Sequence, residues 1–215
     1  MQYSPKKNSD EITLAIHSTD DSFGFAYRTN NNNKSDTFFI KKFDHDLCNN
    51  LIVDFSRFLT KENIPKIKKI SVSIGPANFN ASRLIVVLAR TISQQTNCPL
   101  DSFSCFELMS KRIALKNNIY EKNKSFWIYK KLKRKGFIAG HYEVCIRENQ
   151  NLKVTETIMP SLFKELRNTE PTFEANFDDK KDLKELLNLS NKNKKTIDVN
   201  AWEKVLPLYP LSPIN

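Results

Sequence analysis

Ile74-Gly-Pro-Ala-Asn-Phe-Asn-Ala-Ser-Arg-Leu-Ile-Val-Val-Leu-Ala89 is the stretch on which the fold turns. The apolar run Ile70 to Ile74 reads as a short buried strand stopped by Gly75-Pro76. Asn78 or Asn80 can cap a helix reaching about Gln95. Leu84 to Ala89 is apolar at six consecutive positions. At about 100° per residue they cover the whole circumference, so this helix must be buried on every side, by its own lobe or by another molecule.

Upstream, Ile12, Leu14 and Ile16 alternate onto one face, Ser18 to Ser22 makes a turn, and Phe23 to Arg28 and Thr37 to Lys42 give two more strands. This is an antiparallel meander. Asp44 is the expected N-cap of a helix to about Thr60, broadly apolar through Leu47, Cys48, Leu51, Ile52, Phe55, Phe58 and Leu59. Downstream, Pro99 to Phe103 is a strand, and Ser104-Cys-Phe-Glu107 has the spacing of a capping box opening a third helix. Beyond about Asn118, strands are expected at Ser125 to Lys133, Phe137 to Arg147 and Leu152 to Thr157. A short helix at Pro160-Ser161 and an amphipathic one at Asp178 to Leu189 follow, before a closing tail at Val205 to Tyr209. The pattern is α/β: a mixed sheet with helices in an N-terminal lobe (10–118, with the tail 205–215 returning to it) and a smaller C-terminal lobe (119–204).

Composition narrows the function. With 40% hydrophobic residues the chain can build a core, and no apolar run approaches the roughly 20 residues of a membrane span. The N-terminus carries no signal-peptide pattern, and the four cysteines form no C-x-x-C pair, so a reducing cytoplasm is expected. A net charge of +10 fits either a nucleic-acid partner or a lysine-rich solvated surface. Four glycines in 215 residues, against a usual share of about 7%, leave no G-x-G-x-x-G and no P-loop. Three histidines, His17, His45 and His141, show no metal-binding spacing. No catalytic residue, metal ligand or cofactor site is therefore assigned. The acidic pairs fall at turns and helix starts, where they complement the helix dipole.

Together the residues resemble the TsaB family. The 74–84 segment, followed by an apolar helix, Cys98-Pro-Leu and a Ser-x-x-Glu-Leu opening, lies where that family usually carries G-P-G-S-F-T-G-L-R-I-G. Ile12 to Thr19 resembles its opening strand and D-T-S-T turn, Phe43-Asp-His45 the start of its first helix, and Trp202 to Tyr209 its closing P-x-Y segment. The resemblance implies an actin/hexokinase-type (ribonuclease H-like) fold in two lobes. It also implies a noncatalytic role beside a TsaD-like catalytic subunit and a TsaE-like ATPase in making threonylcarbamoyl-adenosine next to the transfer-RNA anticodon, or a homodimer. Transfer RNA would be met only through the complex. Phe79 and Arg83 match the family run. His17 stands where an aspartate is usual, Ala77 and Ala81 replace glycines, Asn78 and Asn80 replace Ser and Thr, and Pro210 replaces an Arg. Lys130 or Lys131 falls near a usually acidic position.

The expected docking residues are Leu51, Phe55 and Phe58 on the first helix and Arg83, Val86, Val87 and Arg90 on the second. Two rival readings place chemistry elsewhere. One is a phosphotransferase using Ser18, Thr19 and Asp21. The other is an RNA-binding module using Lys130, Lys131, Lys133, Arg134 and Lys135 beside Trp127 and Tyr129.

Overall fold

The computed structural model describes residues 11–30, 35–43, 47–133, 135–146, 152–166, 169–192 and 199–210. Asp44 and His45 lie outside them, as do the side chains of Leu47 and Cys48. The first sheet is built from β1 (Ile12–Ser18), β2 (Ser22–Thr29), β3 (Asp36–Lys42), β4 (Ile67–Ser73) and β5 (Leu100–Phe103), in the order β3-β2-β1-β4-β5. The meander β1–β3 is antiparallel, and β4 and β5 add in parallel, as crossover helices require. This order and direction are those of the actin/hexokinase-type, ribonuclease H-like fold expected from the sequence.

Alternation sorts the sheet residues onto two faces. Leu14, Ile16, Phe23, Phe25, Ile70 and Val72 pack with α1 (Leu47–Phe58) and α2 (Phe79–Thr96). Ala15 and Ala26 pack with Leu183, Leu186 and Leu187 of α4 (Asp179–Lys192). Small residues on that second face let α4 lie close. A Cβ on Gly24 would come within 2.9 Å of Leu183 Cδ1 and 2.8 Å of the Phe39 carbonyl oxygen. The first sheet is thus covered on both sides.

The second sheet has the order β8-β7-β6-β9, from β6 (Ser125–Leu132), β7 (Gly136–Ile146), β8 (Leu152–Phe163) and β9 (Thr172–Glu174). It repeats the first four strands of the first sheet: an antiparallel meander, then a strand parallel to its first member. Its inner face, with Phe126, Ile128, Tyr142 and Val144, packs on Phe106, Met109 and Ile113 of α3 (Cys105–Lys116).

Two expectations change. The division of the chain near residue 118 does not follow the packing: α3, from the first half, seats on the second sheet, and α4, from the second half, crosses to the first. Arg112 of α3 joins them, donating to the fully buried Asp182 of α4 at 2.6 Å. The helix expected at Pro160-Ser161 is instead the end of β8, an edge strand whose register shifts where Pro160 falls. Edges and bulges tolerate a residue without an N–H. β9, three residues long, carries too short a pattern to read. Within the described part of the tail, Leu208 N–H donates to the Ile74 carbonyl at 2.7 Å. Among the described residues no helix is long and apolar enough to cross a membrane.

Candidate functional site

The turn from β1 into β2 lies at the mouth of a cleft of about 570 Å³ lined by Asp20, Asp21, Glu174, Ala175, Asn176 and Phe177. Its polar groups bond chiefly to one another. The Thr19 and Ser22 hydroxyls lie 2.6 Å apart, and the Ser22 hydroxyl also donates to Asp179 of α4 at 2.7 Å. Asn78 N–H, at the start of α2, donates to the Thr19 carbonyl at 3.2 Å. From the second sheet, Lys130 spans the cleft to the Asp20 carboxylate at 2.5 Å and lies 5.9 Å from the centre of the Phe177 ring. Lys130 therefore faces the cleft rather than joining the basic turn that follows it.

Behind the turn, His17 is 1% exposed, and its Nδ1 lies 2.9 Å from the Ser73 hydroxyl. Burial lowers its pKa to about 3, so it is neutral in the folded chain. Cys105 donates its S–H to the Ser18 carbonyl at 3.7 Å, and burial pushes its thiol up to about 12. Where a carboxylate could hold a cation there is a neutral imidazole, and the nearest thiol stays protonated. Asp20 is paired with Lys130, and Asp21 and Glu174 are the acids left to repel a phosphate. Ser18, Thr19 and Asp21, the residues of the phosphotransferase reading, do lie together. Ser18 and Thr19 are buried, however, and the Thr19 hydroxyl lies 3.2 Å from the Asp21 carboxylate. Among the described residues no group of three or more His, Cys, Asp or Glu side chains is placed to hold a metal ion.

This arrangement of two sheets around a cleft matches known structures closely. YeaZ from Pseudomonas aeruginosa superimposes with a TM-score of 0.62 at 11% identity, over 93% of this chain and 99% of its own. The chain has the YeaZ fold. A second Pseudomonas aeruginosa structure, an uncharacterized protein with similarity to peptidase YeaZ, matches over 94% of this chain and all of its own, with a TM-score of 0.63 and 11% identity. No protein-family model and no curated protein sequence matches the chain.

The two helices expected to dock, α1 and α2, both lie on the first sheet. Asn78 caps α2 by accepting from Ala81 N–H at 3.1 Å. The six apolar residues of α2 are mostly satisfied within the chain. Ile85, Val86, Leu88 and Ala89 are buried and Leu84 half-buried, while Val87 is 53% exposed. Of the expected docking residues, Leu51, Phe55 and Val86 thus belong to the core. The Phe55 ring stands edge-on to Phe25 at 5.3 Å, and Phe58 is half-buried against Tyr27 at 5.4 Å. Arg90 lies over the Trp202 ring at 5.6 Å, which ties α2 to the returning tail. Val87 and Arg83 face solvent.

On α1, sequence reasoning missed the apolar residues that are outside. Ile52 is 58% and Val53 43% exposed on α1, while Asp54 beside them is buried and takes a 3.0 Å ion pair from Lys41. A signal was available. Leu51, Phe55 and Phe58 form one stripe at helical spacing, and Ile52 and Val53 lie about 100° and 200° off it. On the tail, Tyr209 and Phe79 meet at 4.9 Å and both remain exposed.

Proposed function

We propose that this chain is a noncatalytic TsaB-type subunit. It docks through the outward faces of α1 and α2 onto a TsaD-like catalytic subunit, and with a TsaE-like ATPase it supports threonylcarbamoylation of the adenosine beside the transfer-RNA anticodon. The observation that carries the reading is the exposure of Ile52, Val53 and Val87 on two helices whose Leu51, Phe55, Ile85, Val86, Leu88 and Ala89 are already buried in the core. Aliphatic side chains left outside a satisfied core are what an interface buries, at roughly 25 cal/mol per Å². The YeaZ fold and the family-like segment from Ile74 to Leu84 support the choice of partner. The buried neutral His17 and the self-bonded turn at Thr19 support a scaffold over an enzyme.

Co-expression with the TsaD-like subunit of the same genome, followed by size-exclusion chromatography, tests the assignment. We expect the wild type to co-elute. Val87→Asp and Ile52→Asp should each keep a cooperative melt and lose the complex, because an unpaired charge in a dry contact costs several kcal/mol. Retention of the complex by both variants would reject these helices as the interface. A homodimer that forms without the catalytic subunit and is lost in both variants would keep the face and change the partner.

A further inference from the structure

The second sheet has a face on which no helix packs among the described residues. Its inner face, through Phe126, Ile128 and Tyr142, is taken by α3, while α1, α2 and α4 pack on the first sheet. Alternation therefore turns Trp127, Tyr129 and Lys131 of β6, and Phe137, Ala139 and His141 of β7, to the bare side.

That side is aromatic. The Trp127 ring centre lies 4.8 Å from His141 and 5.5 Å from Phe163, and Tyr129 meets Phe137 edge-on at 5.7 Å. Trp127 is only 8% exposed, because its neighbours cover it and its Nε1–H donates to Glu170 at 2.8 Å. It is the floor of the face. Tyr129, Phe137 and Phe163 are half-buried and keep surface to offer. The register sets Lys131 opposite Phe137, and Phe137 opposite Phe163, so these rings end at the β6–β7 turn. There Lys131, Lys133 and Lys135 are exposed, as is Lys164 next to Phe163; Arg134 lies outside the described residues.

The acids of this face lie away from the β6–β7 turn. Glu170 accepts from Ser125 and Trp127 and lies 2.9 Å from His141 Nε2. Glu143 pairs with Ser125 at the opposite end of β6, while exposed Glu174 pairs with Tyr129 on this face, where β9 stops short of Lys131. The corner by the turn is thus cationic and aromatic together. An acidic peptide would use the lysines and leave the rings idle. Unpaired bases use both, because every base has a π-face and every linkage a phosphate.

We propose that this face binds single-stranded nucleic acid, with Tyr129 and Phe137 stacking unpaired bases and Lys131, Lys133 and Lys135 holding the phosphates. The proposal does not rest on the docking of a catalytic subunit, and the full chain alone tests it. Fluorescence anisotropy would follow fluorescein-labelled oligouridine RNA, and oligodeoxythymidine of equal length, as the chain is added at low and moderate salt. We expect saturable binding of one or both, weakening as salt rises; tighter RNA binding would identify RNA as the natural ligand. Tyr129→Ala and Phe137→Ala should each weaken binding at least about fivefold. Tyr129→Phe should bind like the wild type. Changing Lys131, Lys133 and Lys135 together to Ser should reduce the logarithmic salt slope by about two. Should either alanine variant melt early, the lysine variant, confined to exposed positions, still decides.

Absence of saturable binding at low salt, or unchanged binding by folded alanine variants, would overturn the proposal. Equal affinity for duplex, or displacement of the RNA by polyglutamate at matched charge, would also overturn it.

Discussion

The two sheets share one strand plan and meet solvent differently. In both, three antiparallel strands are followed by a strand parallel to the first. In the first sheet the connection from the third strand to the fourth contains α1 and a 3-10 helix, Lys61–Lys66. In the second, the corresponding connection runs only from 164 to 171 and holds no helix among its described residues. The first sheet consequently lies between helices on both sides, while among the described residues no helix packs on one face of the second. Omitting a covering element turns what would be core positions into a surface, and at those positions this chain carries rings and lysines rather than aliphatics alone. The difference separates places that hold the fold together from places free to recognise something else.

The largest expected effect tests that separation directly. Leu186→Ala, on the buried side of α4, should cost about 3 kcal/mol in urea unfolding, from lost transfer energy and the cavity left behind. Phe137→Ala on the bare face should cost about 1 kcal/mol, since a half-exposed ring loses less burial. Equal costs would mean that the second face is covered after all.

A smaller effect sharpens the comparison through pH. In the second lobe Glu107 is pushed up to about 7, first by burial and then by the nearby Glu156. The folded chain holds that proton up to about pH 7, whereas an unfolded Glu107 releases it near 4.5. The native state therefore binds the extra proton between these values, and stability falls as pH rises across the window. His17 in the first lobe acts in the opposite sense. Its pKa falls from 6.5 unfolded to about 3 folded, so stability falls as pH drops below 6.5. Glu107→Gln should melt higher than the wild type at pH 8, by an amount on the order of 2 kcal/mol, with the gap closing by about pH 5. Differential scanning calorimetry across that range measures it. A gap independent of pH would show that Glu107 is not the group that titrates.

Much of this was legible in the residues. The meander, the helix cap and the Ser104 capping box are local patterns, and the structure has them, with Asn78 as the cap of the two asparagines the sequence offered; Ser104 accepts from Glu107 N–H at 2.9 Å. The substitution at His17 was visible as well, though its burial against Ser73 was not. What escaped depends on distant contacts. Nothing local says that α4 lies on Ala15 and Ala26, or that Lys130 reaches Asp20 across the cleft. The helical run Leu84 to Ala89 looked short of partners because its cover arrives from the sheet and the returning tail. The rings at Trp127 and Tyr129 could be read as core or as surface until the lack of a helix above them was seen.

The central claim is that this chain works through its outer surfaces and not through its cleft. Isothermal titration of ATP with magnesium into the purified full chain tests it most directly. The neutral His17, the acids around Asp20 and the self-bonded turn at Thr19 lead us to expect no saturable heat of binding. Saturable binding in the micromolar range, lost in Asp21→Ala with the fold intact, would contradict the claim and assign the cleft a phosphate chemistry of its own.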